Sequence, residues 1–578
     1  GTGSSTGTLA NGAQFDQTGT SALSSFGGFT LGATSLYRLL TTTTPFTMAA
    51  LTYGNVVVSP QANNVTVAPS SGTLSIQGYL TLGGVGSYTG ITLNIDTSDP
   101  TFNVDGDVTI SASHTLTLSA TGTTTFGGSW TNAGTLTHSS GTVTFDATDT
   151  GNTINNNSSS FYNLKLNGSG GEWSALTNTL TIANDFTVSA GTLNNSAGTA
   201  NITVNGNVAC NGTCGTVNLT SGTFLQSVAT NKTFGTNVAV GTNWIFNNLT
   251  FTGTSDTITT SSTGTGTIEV KTNLTISTVT TLDAGNRTFV LSVASTTPAT
   301  LTGTLTGNTS IFRYTGAGNT TIPASAGYAT VQLYPGANSA IFTLDSGTFT
   351  LSGDFIAGGN YSYTGTIITL GANNPTMNIT GDFTVCASSC PEMTFTKSSN
   401  TITLNGTANT KTITDNNATK QDLGKIAIGN ATAAKIVNMG STLKLETLNI
   451  TTNATFSFNS GAYTLTITGT GTPLTKTGTF TATTGTTTYV GNGATTITAA
   501  TYNNLQIFPG GASVTHTLAS GTFTIGGDLD IGGNANGAST VVTAGSNNPT
   551  IGLTGNLVVC ASTCSNQMTF TKSSNTIT

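Results

Sequence analysis

Charge is scarce in this chain: Asp, Glu, Lys and Arg make up only 6% of its 578 residues, against roughly 25% in an ordinary soluble domain. The formal net charge is −7, and the 14 Lys and Arg residues form no basic stripe along the sequence. Nucleic-acid binding and polybasic attachment to a membrane therefore have no electrostatic basis. No apolar run approaches the roughly 18 residues that a membrane-spanning helix needs. Proline occurs only 12 times, too rarely for a Pro-rich stalk or linker. Low charge also separates the chain from most disordered segments, which combine low hydrophobicity with high net charge. Helix-forming residues at a helical period are nearly absent, and residues 420–435 are the least strand-like stretch. The sequence opens on Gly1 without a recognisable signal peptide and reads as a mature or excised segment.

What is abundant points to strands. Glycine fills 72 positions, hydrophobic residues still make up 36%, and Thr, Ser and Asn supply most of the rest. Thr, Val, Ile, Phe and Tyr favour the pleated, half-buried surface of a sheet. Alternation is visible in GTVTF at 141–145 and TFTL at 348–351, and Gly, Asn and Ser clusters interrupt such runs at short intervals.

Self-similarity is the strongest signal. Residues 394–403 read TFTKSSNTIT, and residues 569–578 repeat that decapeptide. SGTFTLSGDF at Ser346 matches SGTFTIGGDL at Ser520, and NNPT recurs at Asn373 and Asn547, both at an offset of 174. Within this long repeat lies a shorter one, an aromatic-x-Asn-hydrophobic signature. It appears as YGNVVV at Tyr53, FYNLKL at Phe161, FNNLTF at Phe246 and YNNLQI at Tyr502, with degenerate copies at Tyr328 and Asp422. The hydrophobic residue after the Asn, or its equivalent, is Val56, Leu164, Leu249, Val331, Ile426 and Leu505, so the unit recurs at unequal intervals and two units make the long repeat. A Thr-rich strand bearing Phe145, Tyr314 or Tyr489 often precedes the signature. The organisation expected is a partial repeat at 1–55, then units at 56–163, 164–248, 249–330, 331–425, 426–504 and 505–578. The last unit stops partway, which reads as a cut through a longer array or a unit completed by a neighbour.

Two all-β architectures fit. In a β-solenoid, or parallel β-helix, short strands wind into coils that bury their hydrophobic residues against adjacent coils. In a string of β-sandwich, immunoglobulin-like modules, each unit folds alone. The solenoid is favoured because strand spacing runs on across unit boundaries and unit length varies. Trp130, Trp173 and Trp244 also fail to recur with the unit, which argues against a Trp-centred sandwich core. Strings such as GTFTLSGDF, TVTF and FYNLKL resemble the Thr/Gly/Asn-rich β-strand-repeat surface proteins of bacteria and, more broadly, haemagglutinin-like β-solenoid adhesins. The resemblance implies a secreted or cell-surface fibre and identifies no ligand.

The six cysteines fall as three CxxxC pairs, Cys210/Cys214, Cys386/Cys390 and Cys560/Cys564, one pair to each long repeat. Alignment of the first unit through DPTFNVDGD puts Ser111 and Thr115 at the equivalent positions, so both cysteines are missing together, as expected of a bonded pair. Small-loop disulfides in an oxidising compartment are the favoured reading. Zinc binding wants four ligands, and no second pair or His is near in sequence. A redox site wants a basic neighbourhood, and none is evident. Both stay open as alternatives.

Catalysis has little to stand on. His516 aligns with Phe342 of the preceding repeat and His114 with Ser389, and no nucleophile has an evident base. Solenoid polysaccharide-acting enzymes cluster carboxylates with basic residues, whereas Asp105 and Asp107 have no adjacent Lys or Arg and read as an exposed turn, with weak calcium binding as the alternative. Asn-x-Ser/Thr sequons, at Asn64, Asn167, Asn211, Asn273, Asn378 and Asn405 among others, follow from composition. Flat Thr arrays that bind ice need strictly periodic Thr-x-Thr, and the strand spacing is irregular. The expectation is a non-enzymatic extracellular or cell-surface fibre protein without cofactor, or an adhesin stalk whose binding tip lies elsewhere. Its partners would be other copies of itself, with surface glycans or neighbouring cells as further candidates.

Overall fold

A computed structural model describes the chain except for residues 1–6, 22, 24–29, 177, 240, 261–265, 293–295, 360–362, 389, 391–392, 407–409, 430–433, 509, 512, 533–540, 561–567, 573 and 575–576. Among the described residues the structure is all-β, with a 3-10 turn at Gly545–Asn547 and no α-helix. The chain divides into two compact units, Gly1–Phe289 with Thr300–Thr304, and Val290–Ala299 with Leu305–Thr578.

Each unit is a β-solenoid with three strands per turn. In the first, Thr66–Pro69, Thr73–Ile76 and Leu80–Leu82 are followed by Thr92–Asn94, Thr101–Val104 and Val108–Ile110. Each strand pairs in parallel with its counterpart one turn on, as in Leu93↔Val67, Phe102↔Leu74 and Val108↔Leu80. In the second unit Ile341–Leu344, Thr348–Leu351 and Phe355–Ala357 pair with Ile367–Thr369, Thr376–Ile379 and Phe383–Val385 in the same way. A parallel pair needs a long crossover, and here the remaining two strands of the turn supply it. The solenoid expectation is correct, and the sandwich alternative is excluded by this parallel pairing.

Irregular spacing in the sequence becomes regular register in space. Val56 pairs with Leu80, Leu80 with Val108, Val108 with Trp130 and Trp130 with Ile154, so turns of unequal length stack into one straight ladder. The corners absorb the difference in length. Outward columns are therefore aligned, yet they are not pure threonine: Ser75, Asn103, Thr125, Thr144 and Lys165 follow one another on one face. Mixed composition breaks the Thr array in this column, and register shifts interrupt ladders further on, as after Leu166 and Val208.

Alternation fixes which side chains go inward. Thr101–Val104 and Thr142–Phe145 bury every second residue, as the period-2 geometry of a strand requires. The aromatic of the repeat signature lands in the core beside an aromatic from a strand shortly before it. Phe161 meets Phe145 edge-on at 5.9 Å, Phe246 lies 5.8 Å from Phe234, and Tyr53 lies 4.9 Å from Tyr37. In the second unit the same positions hold tyrosine pairs joined through their hydroxyls, Tyr314–Tyr328 at 2.7 Å and Tyr489–Tyr502 at 3.1 Å. Such aromatic pairs add about 0.5–1.5 kcal/mol each beyond the burial itself. The three tryptophans are also fully buried.

Residues 420–435 are not devoid of strand. Lys425–Ile428 pairs with Thr401–Leu404 on one side and Thr447–Ile450 on the other. Flanking ladders override weak local propensity there. The turn before it is built on Asp415, whose carboxylate accepts the Asn417 and Gln421 amides at 2.9 and 2.7 Å.

Candidate functional site

Turn-to-turn stacking brings together residues that are far apart in the sequence, beginning with the corners. At one corner of the coil an Asn or Asp side chain accepts an N–H from the next turn. Asn163 Oδ1 accepts from Asp185 at 3.2 Å, Asp185 Oδ1 from Asn207 at 2.8 Å, and Asn207 Oδ1 from Thr233 at 3.0 Å. In the second unit Asp354 accepts from Asp382 and Asp382 from Thr412, both at 2.8 Å. Asn504 accepts from Asp528 at 3.0 Å and Asp528 from Asn556 at 2.8 Å. These ladders satisfy corner amides that strand pairing leaves over. Asp107 belongs to the same class, accepting from the Ser129 amide at 2.8 Å, while Asp105 accepts from the Asn103 side chain at 2.6 Å.

The cysteines also occupy corners. Cys210 is bonded to Cys214 and Cys386 to Cys390, with Cα separations of 5.2 and 5.7 Å. Cys564 lies outside the described residues. The first pair is displaced by one position: Cys210 ends the strand Val208–Cys210, whereas Cys386 follows Phe383–Val385 and Cys560 follows Leu557–Val559. Each bond closes a very short loop, with a sequence separation of 4, so the chain-entropy gain is about 2 kcal/mol per bond. Reduction should lower the unfolding free energy by no more than that, read as a small shift in a denaturant midpoint with and without reductant. Loss of all folded structure on reduction would contradict the corner role.

His114 and His516 are buried singly, whereas His138 is half-buried beside Tyr162, with ring centroids 5.4 Å apart. His516 sits in the strand Thr515–Leu518, fully enclosed, with Nε2 3.1 Å from the Gly491 carbonyl oxygen. No hydrogen-bond partner reaches its Nδ1 among the described residues. Burial holds its pKa below the ordinary histidine value, against the opposing pull of the Gly491 carbonyl. The unfolded chain therefore takes up a proton, as pH falls through about 6.5, that the folded chain refuses, and stability drops. His516→Phe restores the residue found at Phe342, which occupies the matching register (Thr320↔Phe342, Thr495↔His516). That variant is expected to flatten the acid limb of stability measured between pH 7 and pH 5; an unchanged slope would place the acid sensitivity elsewhere.

The densest chemistry is a charged groove in the second unit. Seven of the 14 basic residues but only three of the 21 acidic ones lie between positions 397 and 476. This gives a local balance of +4 in a chain of net charge −7. Lys411 and Lys435 stand on one face of this band, where the Lys435 ammonium is buried and donates to the Thr380 carbonyl at 2.6 Å. On another face Asp422 bridges to Lys444, Lys444 pairs with Thr466, and Thr466 with Thr488, so the side chains form a column across successive turns. Lys397 Nζ sits between Asp422 Oδ2 at 2.8 Å and Glu446 Oε2 at 2.7 Å, and Lys425 approaches Glu446 Oε1 at 3.9 Å. Thr468 donates to Asp422 Oδ2 at 3.1 Å. Lys397, Asp422, Glu446 and Thr468, with Lys444, Gly469, Thr470, Val490 and Asn492, line a groove of about 480 Å³.

Electrostatics define what this cluster can do. Burial works against the charge of Lys397, but Asp422 and Glu446 outweigh it and hold its pKa above that of an ordinary lysine. Lys397 is thus a fixed cation, suited to organising carboxylates and unsuited to abstracting protons. The Lys444 side chain makes no ion pair or hydrogen bond among the described residues. Sequence spacing could not reveal the cluster, because Lys397, Asp422, Lys444 and Thr468 meet only when the length of each turn is known. No α-helix long and apolar enough to cross a membrane exists among the described residues. Comparison with protein-family models, curated proteins and solved structures finds no match to this chain.

Proposed function

We propose that this protein is a structural, extracellular repeat protein that builds a surface fibre, filament or sheath by stacking of β-coils, without enzymatic activity. The observation that supports this most is the recurrence, turn after turn, of the same two devices: an in-register core with paired aromatics, and a corner ladder of Asn and Asp. In such a quasi-one-dimensional fold stability grows with the number of neighbouring turns. Sparse charge lets outer faces of different copies approach without strong repulsion. The corner disulfides fit an oxidising compartment.

A second form of the reading, the stalk of a surface adhesin, is favoured by the groove at Lys397, Asp422, Lys444 and Glu446. Both forms require exposure on the cell. Immunogold labelling of intact source cells should place the chain at the outer surface or in extruded material. Label confined to the cell interior would overturn the proposal.

A further inference from the structure

We infer that the groove running from Lys397 to Asn492 binds a linear acidic polysaccharide, with Lys444 taking an anionic group of the sugar chain and Thr470 and Asn492 taking its hydroxyls. The inference rests on the adhesive form of the surface-protein reading.

Three properties of the groove select the ligand. The first is direction. Of the lining residues, Asp422 and Lys444 stand on successive turns, as do Glu446 and Gly469, whose N–H donates to the Glu446 carbonyl at 2.9 Å, and adjacent turns lie about 4.8 Å apart. The lining therefore runs along the solenoid axis across successive turns, which suits an extended polymer. The second is polarity. Val490 is the single hydrophobic residue in the lining, and no aromatic ring is present. Such a surface offers an apolar ligand nothing, whereas hydroxyl, amide and ammonium groups match a hydroxyl-rich chain. The third is charge. The carboxylates are already neutralised: Lys397 bridges Asp422 and Glu446, and Lys425 flanks Glu446. The ammonium of Lys444 is left over, inside a band that carries local positive charge in an acidic protein. An anion placed there gains a charge-assisted hydrogen bond that the fold itself does not supply.

Lys444 is also well placed for a test, since it lies half-buried between the core residues Leu443 and Leu445 and its side chain holds nothing else together. The full chain, immobilised, would be offered polygalacturonate, dextran sulfate and uncharged dextran at rising salt. Retention of the carboxylated or the sulfated polymer but not of dextran is expected, and which anion is preferred identifies the sugar's acidic group. Binding should fall with ionic strength, because an exposed ion pair is screened over about 10 Å at 0.1 M salt. Lys444→Gln should weaken binding about tenfold, the loss of one charge-assisted contact, and Lys444→Arg should preserve it. Circular dichroism on each variant checks that the solenoid is intact.

Equal retention of dextran, or Lys444→Gln binding that matches the unmodified chain, would overturn the site. So would a groove that instead holds a second copy, seen as self-association lost in Lys444→Gln with no glycan bound. None of these outcomes bears on whether the chain is exposed at the cell surface, so failure of the site and failure of the surface reading are distinguishable.

Discussion

Replacing Gly381 with alanine is expected to destabilise the second unit by about 3 kcal/mol, near the upper end of what overpacking costs. The reason lies in the corner ladder. Gly381 immediately precedes Asp382, whose amide is held by the Asp354 carboxylate one turn earlier at 2.8 Å. A Cβ on Gly381 would fall inside contact distance of that carboxylate and of the Gly353 backbone. The carboxylate cannot retreat without releasing the Asp382 amide, and the Gly353 backbone cannot retreat without disturbing the hydrogen bond that the Gly381 N–H donates to the Gly353 carbonyl at 2.9 Å. The recurring Gly-Asp of SGDF, TGDF and GGDL is thus one corner device: the Asp reaches up, and the Gly above leaves it room. Gly527 provides the contrast. Its added Cβ would meet chiefly the Asn504 side chain, so Gly527→Ala should cost less, and removing that side chain with Asn504→Gly should relieve part of the clash. Hydrogen exchange at the Asp382 and Thr412 amides, before and after Gly381→Ala, reads the effect locally. Unchanged protection would show that the corner yields without cost.

The buried tyrosine pairs make the second large prediction. Tyr502 donates to the Thr498 carbonyl at 2.7 Å and its hydroxyl lies 3.1 Å from that of Tyr489. Burial drives both phenols far above their ordinary pKa, so both stay protonated across the usable pH range. Tyr502→Phe strips the Tyr489 hydroxyl of this partner in a closed core and should cost about 1–3 kcal/mol. Tyr489→Phe should cost less, since Tyr502 keeps its bond to Thr498. The double replacement recreates the arrangement of Phe145 and Phe161, which fill the same role with ring centroids 5.9 Å apart. Its cost should be smaller than the sum of the single changes by about 1 kcal/mol, the coupling typical of contacting residues. Denaturant titration of the four proteins measures this directly, and simple additivity would mean that the hydroxyls do not act as a pair.

Much of this architecture was legible in the sequence, for physical reasons that also mark where legibility ends. The period-2 strands around Thr348 and Thr522 announced themselves because alternation survives in one dimension. The aromatic-x-Asn signature was visible as a pattern, but its purpose was not: the partners of Phe161 and Asn163 are Phe145 and Asp185, and only coil stacking brings the latter pair into contact. The slightly longer interval between the first and second cysteine pairs carried the displacement of Cys210 without showing which corner it served. The groove was hidden more completely. Lys397, Asp422, Lys444 and Thr468 sit on neighbouring turns whose lengths no local rule dictates, whereas Asp105 and Asp107, close in sequence, serve the Asn103 side chain and the corner ladder instead. The strand Lys425–Ile428 falls on the degenerate signature copy at Asp422, so the repeat marked it where the local composition of residues 420–435 did not.

Electron microscopy of the purified native protein tests the central proposal most directly. Coils that stack between copies as they do within one should give regular filaments with a repeating subunit and an axial spacing of about 4.8 Å in diffraction. Thin isolated rods that never join, at any concentration or salt, would contradict assembly into a fibre.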